Sequence, residues 1–122
     1  MNYSVSIKTE YEINYGEVIL ENVDLTEEDP DEINQNETTD PLPREPDGVT
    51  WIGDTTYIAT ANEGDYLGGS RGFSIFDTDT QSFVYDSGNT MDHEVVRIGH
   101  YNDGRSGNKG NEPENVLYAE AK

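Results

Sequence analysis

The stretch Glu45-Pro46-Asp47-Gly48-Val49-Thr50-Trp51-Ile52-Gly53-Asp54-Thr55-Thr56-Tyr57-Ile58-Ala59-Thr60-Ala61-Asn62-Glu63-Gly64-Asp65 decides how the rest of the chain is read. Val49 to Ile52 and Tyr57 to Ala61 are short apolar or alternating runs on either side of Gly53-Asp54, a pattern that predicts two antiparallel strands joined by a tight turn. The open end of that hairpin brings together Glu45 and Asp47, which lead into the first strand, and Glu63 and Asp65, which follow the second. Four carboxylates on one rim make a candidate cation site.

Downstream, the glycines of Tyr66-Leu67-Gly68-Gly69-Ser70-Arg71-Gly72 permit backbone angles closed to other residues. Phe73 to Phe76, ending at Asp77, predicts a third strand, Thr78-Asp79-Thr80-Gln81 a hairpin loop, and Ser82-Phe83-Val84-Tyr85-Asp86 a fourth strand closed by Ser87-Gly88-Asn89. Four short strands joined in sequence form one up-and-down antiparallel sheet. The fold class is therefore all-β, and the sheet has the shape of a propeller blade.

Upstream, Tyr3, Val5 and Ile7, then Tyr11, Ile13 and Tyr15, recur at the period of two that marks half-buried strands, and Val18, Ile19, Leu20 and Val23 supply a third run after Gly16. Between Glu21 and Glu45 ten acids face the single Arg44, and Pro30, Pro41 and Pro43 interrupt regular structure, so this span reads as an exposed acidic loop with room for one helical turn around Glu27 to Ile33. Asp29, Asp31 and Glu32 lack the spacing of an EF-hand loop. Beyond the sheet, Val95, Val96 and Ile98 suit a short strand or a helical turn, and Gly104 to Asn111 a polar, glycine-rich loop.

Glu112-Pro113-Glu114-Asn115-Val116 repeats Glu45-Pro46-Asp47-Gly48-Val49 at a distance of 67 residues. Each copy sets an acid, a rigid proline, a second acid and a turn-former ahead of a strand, as though two structural units begin alike. The spacing exceeds the ~40–45 residues of a common propeller repeat, which makes the segment from Ser87 to Asn111 an insertion.

Composition narrows the function classes. Twenty-six acids against seven basic residues give 122 residues a formal charge of −19, and the pI is near 4.1. A polyanion gains nothing from counterion release on such a surface, so nucleic acid is excluded as a partner, while divalent cations and basic surfaces fit. The same balance resembles that of proteins adapted to high salt, where acids hold hydrated cations. Counting glycine as apolar and leaving out tyrosine, about 35% of the chain is apolar, against ~45–50% in ordinary domains, so the core is thin. Without cysteine there is no disulfide framework. No run approaches the length needed to cross a bilayer, and Met1 to Tyr11 has no signal-peptide hydrophobic region, so an export signal would lie upstream.

Several of these motifs are familiar together. Arg44-Glu45-Pro46-Asp47, Thr60-Ala61-Asn62-Glu63-Gly64-Asp65, Gly68-Gly69-Ser70-Arg71-Gly72-Phe73-Ser74-Ile75-Phe76-Asp77, Val84-Tyr85-Asp86-Ser87-Gly88, Arg105-Ser106 and Lys109-Gly110-Asn111-Glu112-Pro113-Glu114 resemble the choice-of-anchor I family over about Arg44 to Val116. That is a group of secreted or cell-surface β-propeller proteins, often labelled alkaline-phosphatase-like and similar to mesenchyme-specific cell-surface glycoproteins. Asn115 stands where a glycine is usual. The resemblance implies a propeller of about seven blades, of which this chain is a fragment. Residues 1–23 would be strands of a preceding blade, 24–44 an acidic Pro-rich linker, 45–88 one four-stranded blade, 89–111 a Gly-rich insertion loop and 112–122 the first strand of the next blade. It also implies an extracellular or cell-surface location, with the remaining blades and extracellular or cell-surface ligands as partners.

If both Glu-Pro-acid motifs open inner strands, Glu45, Asp47, Glu112 and Glu114 face one another near a central channel, and Asn62, Glu63 and Asp65 add a carbonyl and further carboxylates. Hard oxygen donors of this kind suit calcium. The plainer reading pairs these acids with Arg71, Arg105 or Lys109, Arg71 with Glu63 or Asp65 in particular, or leaves them to water. A third reading has the acids serve salt tolerance alone, with stability rising in any salt. The alternative to a non-catalytic, adhesive or ligand-binding segment is part of a metal-dependent phosphoesterase. Against it, His93 and His100 lack helical metal spacing and read as surface or packing residues, and Ser70 and Ser106 sit beside glycines without a nucleophile elbow, so no catalytic residue is assigned. Trp51 and the tyrosines read as strand packing before they read as a ligand platform. Asn2-Tyr3-Ser4 and Asn36-Glu37-Thr38 match the glycan acceptor pattern.

Overall fold

The computed structural model describes residues 16–26 and 33–121. The strands expected over Tyr3 to Tyr15, and most of the helical turn expected around Glu27 to Ile33, lie outside the described residues.

A four-stranded antiparallel sheet holds the centre, in the order β5 (Pro46–Trp51), β6 (Tyr57–Asn62), β7 (Phe73–Asp77), β8 (Ser82–Asp86). The registers place Val49 opposite Thr60, Trp51 opposite Ile58, Ile58 opposite Phe76 and Phe76 opposite Phe83. Aromatic and β-branched side chains thus line up across the strands, the pairing from which sheets draw their stability. Phe76 and Phe83 meet edge to face with ring centroids 6.2 Å apart. The turn between β5 and β6 is longer than Gly53-Asp54 alone, because Ile52 N donates to Tyr57 O at 3.0 Å and Thr55 N to Ile52 O at 3.3 Å.

The acidic stretch before the sheet is more ordered than its prolines suggest. Four two- and three-residue strands, β1 (Glu17–Val18), β2 (Glu21–Val23), β3 (Glu37–Thr38) and β4 (Leu42–Pro43), form two ribbons, β1 with β4 and β2 with β3. Thr39 ties them, donating its N–H to Leu20 O and accepting from Leu20 N through its hydroxyl, both at 2.9 Å. Val18, Leu20 and Val23 make a small apolar cluster with Leu25 against it. Pro43 fits an edge position because it has no N–H to donate.

Arg44 joins this layer to the sheet. Its side chain is 3% exposed, it bonds Glu17 O, and its guanidinium carbon lies 4.7 Å from the centre of the Phe83 ring. Its Nε donates to Ser74 Oγ at 2.9 Å and lies 3.3 Å from Asp86 Oδ2. Ser74 Oγ donates in turn to Asp86 Oδ2 and accepts from Asn62 Nδ2, and Asn62 Oδ1 accepts from Thr60 Oγ1. The face of the sheet beneath Arg44 is therefore held by a hydrogen-bonded polar chain as well as by aromatic rings, as a thin apolar composition requires. Burial pulls the Arg44 guanidinium down, with Asp86 opposing it.

Thr90–Arg97 forms the one helix longer than a turn among the described residues, α1. Asn89 Nδ2 donates to Glu21 O at 2.5 Å and His93 Nε2 bonds Asn22 O at 2.7 Å, docking α1 on β2. Trp51 does not pack into a core as expected: it is 58% exposed, and Tyr66, Tyr85 and Tyr118 are exposed as well. Trp51 lies on β5, which among the described residues is an edge of the sheet.

Candidate functional site

The open end of the β5–β6 hairpin carries the acidic rim. Glu45 enters β5 with φ +51°, and Glu112 enters the second copy of its motif with φ +49°. Each stands before a proline, where the right-handed helical region is disfavoured, and each takes the left-handed region that residues other than glycine enter rarely. The repeat is thus one of backbone shape as well as letters. Glu45 is held by Tyr66 N, which donates to its Oε2 at 2.8 Å, and by Glu63 N, which donates to its carbonyl at 3.0 Å.

A cation already sits among these acids. The glycine-rich loop after the 3₁₀ turn Asp103–Arg105 curls round one carbonyl: Asn108, Lys109 and Gly110 all donate their N–H to Arg105 O, at 3.1, 2.8 and 3.0 Å. That curl delivers Lys109 Nζ to Asp65 Oδ1 at 3.1 Å, to Glu63 Oε1 at 3.8 Å and to Glu112 Oε1, while Arg105 takes Glu112 Oε2. Bonds to Glu112 and Asp65 raise the Lys109 pKa, keeping it charged. Burial pushes the Glu63 carboxyl up, and the charges of Asp65, Asp47 and Glu112 push the same way against Lys109.

Of the seven residues proposed as metal ligands, Asp47, Glu63, Asp65 and Glu112 share this neighbourhood, with Glu45 flanking it through its bond to Tyr66 and its carbonyl contact with Glu63. Asn62 is fully buried and spent in the polar chain with Thr60 and Ser74. Glu114 is exposed and touches the hairpin through its backbone carbonyl. The donor chemistry suits calcium, but the ammonium of Lys109 holds the central place. Among the described residues no three His, Asp or Glu side chains stand together as a metal-holding group.

The two openings touch. A Cβ on Gly48 would lie 2.9 Å from Asn115 Cα and from Glu114 O, and one on Gly53 would meet the Tyr118 ring at 3.6 Å. Residues 112–121 therefore run in the same direction as β5 and beside it, but enter no strand ladder. Pro113 withholds one N–H from such a ladder, and Asn115 Oδ1 takes the N–H of Val116.

The arginine expected to pair with Glu63 or Asp65 does something else. Arg71 is 0% exposed, with Asp92 Oδ2 at 2.7 Å from Nη1, Asp24 O at 2.9 Å, Tyr101 Oη at 3.2 Å, Gly68 O at 3.0 Å from Nε, and Ser106 O on Nη2. Asp92 Oδ1 accepts from Asn111 N and Nδ2 at 3.2 and 2.5 Å. Burial pushes the Asp92 carboxyl up, with Arg71 and Asn111 opposing it. The hub joins the ribbons, the Gly-rich loop, α1 and the loop that carries Lys109. Its signal in the sequence was glycine: a Cβ on Gly68 or Gly110 would come within 2.7 or 2.8 Å of the Arg71 side chain. His93 serves α1 docking, His100 is exposed, and Ser106 is buried against Tyr101 and Asp103.

Comparison with curated proteins and with solved structures finds no match. Residues 66–122, which hold Arg71, Asp92, Lys109 and Glu112, match the model of the choice-of-anchor I domain, so over that stretch the chain is similar to the choice-of-anchor I family.

Proposed function

We propose that this cell-surface-associated domain is a non-catalytic segment of a secreted or surface β-propeller, in which β5 to β8 make one blade and Glu112 opens the next. One observation carries the reading. Two Glu-Pro-acid openings share the same rare backbone conformation, and the segment that Glu112 opens lies against β5, with Asn115 beside Gly48 and Tyr118 beside Gly53. Inner strands of neighbouring blades stand in that relation, and blades gain stability from each other's faces. The exposed Val49, Trp51 and Leu117 are then surfaces for the neighbouring blades.

Gly48→Val tests this contact. Valine favours a strand over glycine, so on an isolated edge the substitution is neutral or stabilising. Against Asn115 it is expected to cost about 1–2 kcal/mol in urea unfolding and to speed amide exchange over residues 112–121. A stabilised variant with unchanged exchange would remove the shared-axis reading.

Divalent cations, calcium foremost, belong to the rim as exchangeable counter-ions that support adhesion or ligand contact. Four acids, Asp47, Glu63, Asp65 and Glu112, face two cations, Lys109 and Arg105, which leaves two negative charges for one divalent ion. Lys109→Met takes away the competing ammonium. Calcium is expected to raise Tm more in this variant than in the unsubstituted protein, at an ionic strength held constant with sodium chloride. Equal responses of both proteins to calcium and to sodium would favour general salt tolerance and sink the calcium reading.

A further inference from the structure

We propose that Asn36 is an N-glycan acceptor, placed so that the glycan stands off the β2–β3 ribbon. The inference rests on the surface association proposed above. Asn36-Glu37-Thr38 is the acceptor triplet, and the fold presents its three side chains differently. Successive residues of an extended segment point to opposite sides. Asn36 and Thr38, the two that an acceptor site needs on one side, are both exposed. Glu37 between them turns inward, and its Oε1 accepts from Leu25 N at 3.0 Å.

The backbone suits the acceptor too. Asn36 N donates to Asn34 O at 2.8 Å, a tight turn immediately before β3. The Asn36 side-chain amide makes no hydrogen bond to another described residue, and among the described residues β3 pairs with β2 alone. A bulky substituent at this position displaces no packing. The two-residue pairing of β3 also leaves the triplet easy to open before the sheet is complete.

In the modifying step the Asn36 side-chain nitrogen attacks the anomeric carbon of a lipid-pyrophosphate-linked oligosaccharide. A nitrogen–carbon bond forms, the carbon–oxygen bond to the pyrophosphate breaks, the lipid pyrophosphate leaves, and the amide nitrogen gives up one proton. The donor and the membrane-bound transferase are supplied by the secretory route.

The test is to secrete the full chain from a host that carries out N-glycosylation and to measure intact mass before and after peptide:N-glycosidase. A glycan mass is expected, with aspartate left at position 36 after release. Asn36→Gln and Thr38→Ala should each abolish it, and Thr38→Ser should retain it, which separates loss of the acceptor from loss of folding. Secreted protein of unmodified mass overturns the proposal. So does a glycan confined to Asn2-Tyr3-Ser4, the other triplet of this kind. Because the readout is modification and not blade packing or calcium response, failure here leaves the propeller reading to its own experiments.

Discussion

Arg71→Ala is expected to lower the unfolding free energy by about 3–5 kcal/mol, the cost of stripping one partner from a buried ion pair. The side chain is fully buried and gives hydrogen bonds to Asp24 O, Gly68 O, Ser106 O, Tyr101 Oη and Asp92. Alanine orphans three carbonyls and leaves the Asp92 carboxylate with only Asn111 beside it. Arg71→Lys should recover little, because an ammonium is a point charge where the site requires a planar fork reaching several acceptors at once. Asp92→Asn keeps the shape and removes the charge, so it should cost less than Arg71→Ala. A double-mutant cycle between the two positions should give a coupling well above the ~0.3–0.5 kcal/mol seen for independent sites. Urea unfolding measures all of these. A loss below about 1 kcal/mol for Arg71→Ala would mean that the hub is not what ties the ribbons, α1 and the Lys109 loop together.

The importance of that hub explains what the sequence shows and what it conceals. The strands of the central sheet are legible because each is a short alternating run bounded by Gly, Asp or Asn. β7 and β8 fall within a residue of where the pattern places them, at Phe73–Asp77 and Ser82–Asp86. Of the ribbons before the sheet, β1 and β2 fall within the apolar run Val18 to Val23, but their partners β3 and β4 are not legible, because a two-residue strand such as Leu42–Pro43 carries no period and its proline argues against pairing. It exists because Arg44, two residues from Leu42, is drawn beneath Phe76 and Phe83. Val95, Val96 and Ile98 fit strand and helix equally. What decides for α1 is tertiary: Asp92 reaches Arg71 and His93 reaches Asn22 O from one short turn of chain.

The site was half visible for the same reason. Charges in the repeated Glu-Pro-acid motif mark a rim by composition, and Lys109 and Arg105 are basic residues that the sequence offers it as partners. Asn62 lies two residues after Thr60 on β6 and so shares that residue's face, and its amide is taken up by Thr60 and Ser74. Sequence proximity favours Glu63 and Asp65 as partners of Arg71, but the fold gives it Asp92. Its partner lies 21 residues downstream, across a loop whose course only the fold supplies.

Gly64→Ala carries the second large expected effect, and it connects the rim to the fold. Gly64 lies between Glu63 and Asp65, two of the three acids on Lys109, with φ +70°. A Cβ there would stand 1.7 Å from Ser70 O and 2.8 Å from Ser70 C, both backbone atoms that no rotamer change can clear. The left-handed conformation costs alanine about 1–2 kcal/mol, and forcing atoms into a filled space about 1–3 kcal/mol, so a loss of about 3 kcal/mol is expected. Gly88→Ala is the control, since Gly88 has φ +58° with nothing within 4 Å of its Cβ position. It should show the conformational cost alone, and the difference between the two variants isolates the contact with Ser70. Relief of that contact moves either the Glu63–Asp65 segment or the Ser70–Arg71 segment. The first would loosen the Lys109 pairing and change the response to calcium, and the second would weaken the Arg71 hub and leave the calcium response intact. Equal losses for Gly64→Ala and Gly88→Ala would show that the rim and the Gly-rich loop are not pressed together, and would separate the acidic rim from the hub that this close approach is held to join.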